Sequence, residues 1–128
     1  MLSERSLIAV VDDDESMRDA IAGLLRSFGY RVVAFERAEE FLNSTVRRSA
    51  ACLIADVQMP GMTGLDLQSR LVQSGEPIPT ILITAYPDHA ARTRALQNGV
   101  KHYLAKPFLD EELLRCIRSA LESNEPAG

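Results

Sequence analysis

The sequence predicts an α/β fold built on a doubly wound parallel sheet, with helices covering both faces. Five apolar segments of strand length alternate with segments of helical periodicity, and each strand–helix unit spans about 25 residues. None of the five shows the polar alternation of a half-exposed strand, as expected for strands that are covered on both faces. In chain order the predicted strands are Ser6–Val11, Tyr30–Phe35, Ala51–Ala55, Thr80–Thr84 and His102–Leu104.

The segments between the strands repeat apolar residues at the three- and four-residue spacings of amphipathic helices. In the first helix, Asp14 is placed to cap the amino end and Gly29 to end the helix. Its apolar stripe is predicted to contain Met17, Ile21, Leu24, Leu25 and Phe28.

The last two helices carry similar signals at their ends. The fourth is predicted from about Asp88 to Gly99, with Pro87 opening its first turn. The fifth begins near Asp110, because a run of acidic side chains favours a helix amino end. Its inward-facing residues are predicted to be Leu113, Leu114, Ile117 and Leu121.

Composition narrows the classes of function. The chain has 128 residues and a net charge of −4, with its basic residues scattered. This argues against a nucleic-acid surface on this domain, because phosphate binding needs concentrated Lys and Arg. Cys52 and Cys116 are predicted to be free thiols, because they lack the spacing of a metal site or redox motif. With no signal peptide and no membrane-spanning run, we expect no membrane contact and a cytoplasmic location.

Polar side chains follow the ends of four predicted strands. Asp12 and Asp13 follow the first strand, Asp56 the third, Thr84 ends the fourth, and Lys106 follows the fifth. In open parallel sheets, ligands bind at the carboxyl ends of the strands. Carboxylates hold Mg²⁺ and act as nucleophiles toward phosphorus, while a lysine and a hydroxyl meet the charge of a transferred phosphoryl group. This edge therefore predicts a Mg²⁺-dependent phosphoryl-transfer site.

Each of these residues also has an ordinary structural interpretation. The aspartates after the first strand could cap a helix, and Asp56 could belong to the Met-Pro-Gly turn that follows it. Thr84 could be a strand hydroxyl and Lys106 a surface lysine. Taken singly, most of these residues are better explained this way, but four strand ends that each carry a suitable group favour a site.

Four segments, in order, resemble the receiver domain of two-component response regulators: VVDDDESMRDAI, LIADVQMPGMTGLDL, ILITA and GVKHYLAKPF. The resemblance covers about residues 6–122 and implies a flavodoxin-like sheet with strand order 2-1-3-4-5 and five helices. The segments FERAEEFL, LQSRL and PTILITA are most similar to the nitrogen-fixation regulator and LuxR-type transcription-factor branch. In that branch a helix-turn-helix DNA-binding domain follows the receiver.

The resemblance implies a role for each acidic residue. Asp56 would be the phospho-acceptor. Asp13 would bind Mg²⁺ directly, with Asp12, the Asp56 carboxylate and the backbone carbonyl of Gln58 completing the protein ligands; Mn²⁺ is the alternative ion. The third aspartate, Asp14, keeps its capping role.

The resemblance also implies how phosphorylation is sensed. Thr84 would donate a hydrogen bond to the phosphoryl group and Lys106 would pair with it. The Lys106–Pro107 peptide bond would be cis. Tyr103 would occupy the aromatic switch position and move inward after Thr84.

We therefore expect a receiver that takes a phosphoryl group from a sensor histidine kinase onto Asp56. The resulting change of conformation would control homodimerisation or a transcription output. DNA would be bound only through a helix-turn-helix domain absent from this chain, and catalysis would be limited to the domain's own phosphorylation and dephosphorylation. Two alternatives remain: a receiver-shaped interaction module that is not phosphorylated, and a haloacid-dehalogenase-like phosphatase. The phosphatase is disfavoured because the chain has no room for a substrate cap.

The domain organisation follows from where the helical pattern stops. The chain ends in the polar segment ESNEPAG. We assign residues 1–122 to the receiver and residues 123–128 to a tail, or to the start of a linker to an absent output domain.

Overall fold

The computed structural model describes residues 6–123, in which five strands alternate with five α-helices. The strands are β1 (Leu7–Val11), β2 (Arg31–Phe35), β3 (Cys52–Asp56), β4 (Thr80–Thr84) and β5 (His102–Ala105). The helices are α1 (Glu15–Ser27), α2 (Ala38–Leu42), α3 (Gly64–Gln73), α4 (His89–Gln97) and α5 (Asp110–Ser123), and a 3₁₀ helix covers Thr45–Arg48.

All four strand pairings are parallel, and the strand order is β2-β1-β3-β4-β5. This confirms the predicted fold class and strand order. The chain first places β2 on one side of β1 and then places β3 on the other side. The order in which strands are added thus reverses between β1 and β3, which are neighbours in the sheet. Because Val11 pairs with Ala55, the residues after β1 lie beside the carboxyl end of β3. Ligands of open parallel sheets bind at such a switch point.

Both faces of the sheet are covered. In β1, Ile8 and Val10 belong to one apolar core, and Ala9 and Val11 belong to the other. Helices α1 and α5 close the first core, and α2, α3 and α4 contribute to the second. Successive strand residues point to opposite faces, so a strand that is buried on both faces has no polar alternation.

Several predicted helix ends are confirmed. The Asp14 carboxylate accepts a hydrogen bond from the Met17 backbone N–H at 3.2 Å and caps α1. Gly29 and Gly99 follow α1 and α4 with φ of 90° and 99°, a conformation that side chains with a Cβ adopt rarely. Helix α5 begins at Asp110, as predicted.

Two predictions near helix ends are wrong. Phe28 is 56% exposed because it is the carboxyl-terminal cap of α1 and has left the helical geometry that aligns the rest of the apolar stripe. Pro87 lies outside α4, because the Asp88 carboxylate accepts a hydrogen bond from the Ala91 N–H at 3.2 Å. That contact makes Asp88 the cap and His89 the first helical residue.

The last helix ends close to the predicted boundary of the receiver. Helix α5 runs to Ser123, one residue into the predicted tail, and residues 124–128 lie outside the described part of the chain. Cys52 and Cys116 are both free, as predicted. Among residues 6–123, no helix has the length and apolar character needed to span a membrane.

Candidate functional site

Three carboxylates meet at the carboxyl ends of β1 and β3. One oxygen from each of Asp12, Asp13 and Asp56 lies within 4.8 Å of the others. Asp12 and Asp56 are 0% and 6% exposed, whereas Asp13 is exposed to solvent. The strand pairing of β1 with β3 produces this cluster, because it sets the residues after Val11 beside the end of β3.

Lys106 supplies a positive charge to the cluster from the other side. Its Nζ lies 3.4 Å from Asp12 Oδ2 and 3.3 Å from Asp56 Oδ2. The residue follows β5, where its N–H donates to the Thr84 carbonyl at 2.7 Å and its peptide bond to Pro107 is cis. One lysine thus contacts two carboxylates that come from different strands.

Burial and charge shift the pKa values of this cluster in definite directions. Burial is the main cause that raises the pKa of Asp12, and the Asp56 charge adds to it; hydrogen bonding from the Asp14 N–H and the Lys106 charge oppose the rise. Burial alone would lower the pKa of Lys106, but Asp12 and Asp56 together outweigh it and raise that pKa. The rise in the Asp12 pKa is therefore chiefly the cost of burying its charged form, with repulsion from Asp56 as a smaller contribution.

Backbone contacts hold the carboxylates in place. The Asp14 N–H donates to Asp12 Oδ1 at 2.9 Å, and the Gln58 N–H donates to Asp56 Oδ1 at 3.2 Å. The Arg18 guanidinium donates to the Asp12 carbonyl at 2.8 Å. Arg18 is not among the predicted site residues. Its position in the first turn of α1, just after the aspartates, was the available signal.

Thr84 ends β4 and is fully buried. Its Oγ1 donates a hydrogen bond to Gln58 Oε1 at 2.8 Å and accepts one from the Tyr86 N–H at 3.0 Å. The family resemblance implies that Gln58 and Tyr86 flank the phosphoryl site and tune hydrolysis, with the Gln58 backbone carbonyl as a metal ligand. The hydrogen bond from Thr84 to the Gln58 side chain is not among the predicted contacts.

Tyr103 lies in β5, paired with Leu82, and is partly buried against the core on the α2–α3–α4 face. Among residues 6–123, the side chains of the site form two groups, which are linked through the backbone N–H groups of Gln58 and Lys106. One joins Asp12, Asp13, Asp56 and Lys106, and the other joins Thr84 with Gln58 and Tyr86. Tyr103 belongs to neither group.

The carboxylate cluster fits a divalent cation. Three carboxylates offer hard oxygen ligands, and the exposure of Asp13 leaves the cluster accessible on one side. An added cation would oppose the burial and the Asp56 repulsion that raise the pKa of Asp12, because a nearby positive charge favours the carboxylate form. Mg²⁺ retains several waters and needs few protein carboxylates, so this set of oxygens is sufficient.

A family model described as "Response regulator receiver domain" matches residues 8–118. The chain therefore belongs to the receiver domain family of two-component response regulators, as its motifs predicted. Receiver domains bind Mg²⁺ at an acidic pocket and interact with histidine kinases.

Curated relatives lie in the predicted branch. Response regulator protein TmoT of Ectopseudomonas mendocina is 42% identical over 122 residues, which are 95% of this chain and 56% of TmoT. Nodulation protein W of Bradyrhizobium diazoefficiens is 42% identical over 120 residues, covering 94% of this chain and 53% of that protein. Transcriptional regulatory protein FixJ of the same organism is 36% identical over 127 residues, covering 99% and 62%. The chain thus spans little more than half the length of these relatives.

Solved structures agree with the fold. The crystal structure of FixJ-N superposes with a TM-score of 0.85 at 30% identity, and the match covers 95% of this chain and 98% of that one. The response regulator StyR superposes with a TM-score of 0.87 at 38% identity and covers 94% of this chain and 61% of StyR. Several of the relatives are transcription regulators by name.

Proposed function

We propose that this domain accepts a phosphoryl group on Asp56 from the phosphohistidine of a sensor histidine kinase, in a Mg²⁺-dependent reaction. The observation that carries the proposal is the position of Lys106 Nζ, 3.3–3.4 Å from both Asp56 and Asp12, beside the exposed Asp13. This arrangement places an acceptor carboxylate, further carboxylate ligands and a cation at one edge of the sheet.

The chemistry assigned to the residues is a simple displacement. A carboxylate oxygen of Asp56 forms a bond to phosphorus as the bond from phosphorus to the donor histidine nitrogen breaks. Lys106, already paired with Asp56 Oδ2, compensates the charge of the incoming phosphoryl oxygens. The Gln58 N–H, which donates to Oδ1, keeps the acceptor carboxylate oriented. When bound by Asp12, Asp13, Asp56 and the Gln58 carbonyl, Mg²⁺ or Mn²⁺ would screen the charge between acceptor and phosphoryl group.

The phosphorylated state is proposed to differ in conformation at Thr84, Tyr103 and α4. The packing of α4 supports this proposal, because Ala91 and Ala95 are its only residues that are not exposed. Alanine side chains bury little apolar area, so a displacement of this helix sacrifices little packing energy. Phosphorylation then only has to favour a conformer that is already accessible.

The output proposed for this switch is control of transcription through homodimerisation. Support comes from relatives named as transcriptional regulatory proteins, of which this chain spans 52% to 62%. In this proposal residues 1–122 form the receiver, residues 123–128 begin a linker, and a helix-turn-helix domain outside them contacts DNA. The net charge of −4 supports a receiver that does not bind DNA itself.

The proposal is tested by intact mass after incubation with acetyl phosphate. The wild-type domain is expected to gain one phosphoryl group in the presence of Mg²⁺ and none in chelator. Asp56→Asn is expected to gain none under either condition, because the amide is not a nucleophile toward phosphorus. No adduct on the wild type, together with no binding of beryllofluoride, would favour the unphosphorylated interaction module instead.

A second prediction concerns the metal. Asp13→Asn removes one negative charge from the cluster and is expected to raise the unfolding temperature in chelator slightly, because Asp13 is exposed. The same change should abolish most of the increase in unfolding temperature that Mg²⁺ produces in the wild type. Differential scanning calorimetry in chelator and in Mg²⁺ measures both effects, and an unchanged response to Mg²⁺ would exclude Asp13 as a ligand.

A further inference from the structure

The proton of the Thr84 hydroxyl group already has an acceptor in this structure. A threonine hydroxyl has one proton to donate, and here it donates that proton to Gln58 Oε1 at 2.8 Å. The oxygen also accepts a hydrogen bond from the Tyr86 N–H at 3.0 Å, which fixes its position. Thr84 therefore cannot donate to a phosphoryl group on Asp56 while its bond to Gln58 is intact.

We propose that the side chain of Gln58 is a latch that holds Thr84 in the resting arrangement and competes with the phosphoryl group for its proton. The inference rests on the proposed phosphorylation of Asp56. The Gln58 side chain is in this view a positioning group, because it acts on the phosphoryl group only through Thr84. Its contribution is to make the switched state less favourable, so that the domain stays at rest until Asp56 is modified.

Three features of the site suit a releasable contact. Gln58 is exposed, so its amide can return to water when Thr84 turns away, whereas Thr84 is buried and needs a partner for its hydroxyl. Gln58 lies two residues from Asp56, and its N–H donates to the Asp56 carboxylate, so the latch lies beside the group that opens it. The contact joins the turn after β3 to the end of β4, which are 26 residues apart in the chain.

The side-chain role of Gln58 can be separated from its backbone role. Gln58→Leu removes the acceptor for Thr84 but leaves both the N–H that donates to Asp56 and the backbone carbonyl predicted to bind metal. Gln73→Leu is a matched control, because Gln73 is an exposed glutamine on α3, outside the site.

The test measures affinity for beryllofluoride and stability in urea, which Gln58→Leu is expected to change in opposite directions. In calorimetric titrations with beryllofluoride and Mg²⁺, Gln58→Leu is expected to bind roughly two- to ten-fold more tightly than wild type, the range set by one hydrogen bond. In urea without metal or beryllofluoride, the same variant is expected to unfold at a lower midpoint. If the contact were only structural, Gln58→Leu would lower both the affinity for beryllofluoride and the urea midpoint. Gln73→Leu is expected to change neither.

A double-mutant cycle with Thr84→Val assigns the effect to the bond itself. Once the hydroxyl is gone, Gln58→Leu is expected to cause no further fall in the urea midpoint. If the whole fall persists in that background, or if Gln58→Leu binds beryllofluoride no more tightly than wild type, the latch is wrong while the phospho-acceptor role of Asp56 stands. If the wild-type domain itself does not bind beryllofluoride, both the latch and the proposed function are overturned.

Discussion

Replacing Gly64 with alanine is expected to lower the free energy of unfolding by about 3 kcal/mol, the upper end of the range for overpacking. Gly64 is the first residue of α3, and a Cβ there would lie 2.5 Å from the Asp56 carbonyl oxygen and 3.0 Å from Leu82 Cδ2. The Asp56 oxygen is backbone in a central strand, so it cannot move aside without distorting β3. The distortion would fall on Asp56 itself, and we therefore also expect slower phosphorylation by acetyl phosphate.

Gly23→Ala is the matched control for this experiment. Gly23 is exposed within α1, and a Cβ there meets no atom within 4 Å. Because alanine favours the helix over glycine by up to about 1 kcal/mol, this variant is expected to be more stable than wild type. Urea unfolding followed by far-ultraviolet circular dichroism measures both variants. If Gly64→Ala were as stable as wild type, the close approach of α3 to β3 would be contradicted.

Replacing Lys106 with methionine is expected to lower the free energy of unfolding by about 2 kcal/mol at pH 7 in chelator. The change keeps the aliphatic stem but leaves two buried carboxylates, Asp12 and Asp56, without the ammonium group that lies 3.3–3.4 Å from them. The value lies below the 3–5 kcal/mol typical of a fully broken buried pair, because Lys106 is 15% exposed and Asp12 can take up a proton.

The pH dependence of this deficit distinguishes electrostatics from packing. The pKa of Asp12 is raised in the folded state, so the fold binds that proton more readily than the unfolded chain. This contribution to stability is present below the ordinary Asp value of 3.8 and is lost as pH rises through the raised pKa. The loss in the free energy of unfolding that Lys106→Met causes is therefore expected to become smaller as pH falls toward 3.8.

The chain's other lysine provides the control for Lys106→Met. Lys101 is exposed and lies before β5, outside the carboxylate cluster, so Lys101→Met is expected to show none of the loss of stability that Lys106→Met shows at pH 7. Urea unfolding from pH 7 down to pH 4 measures the three proteins together. A deficit for Lys106→Met that stays constant across this range would point to lost packing of the stem rather than to uncompensated carboxylates.

The agreement between sequence and structure was best where the information is local. The strand–helix alternation, the Asp14 cap and the glycines after α1 and α4 each depend on a few neighbouring residues, and each is confirmed. Local reasoning failed at Phe28 and Pro87, where the exact turn in which a helix ends or begins decides the outcome. A difference of one residue in the cap position decides whether such a residue belongs to the helix.

The residues of the site could be predicted because strand ends are visible in the sequence and parallel strands end at one edge of the sheet. Asp12, Asp56, Thr84 and Lys106 all lie at that edge. The sequence could not predict which residues at this edge are buried and which are exposed. Asp12 and Asp13 are adjacent in the chain, yet one is fully buried and the other exposed.

By itself, the sequence determined the fold class, the receiver family and the set of groups at the sheet edge, because hydrophobic periodicity and short motifs are properties of neighbouring residues. Only the tertiary structure decided that Lys106 contacts both Asp12 and Asp56, from which it is 94 and 50 residues distant in the chain. The same holds for the hydrogen bond from Thr84 to the Gln58 side chain and for the close approach of Gly64 to the Asp56 carbonyl. These contacts depend on strand order, register and helix packing to within an ångström, which no local pattern specifies.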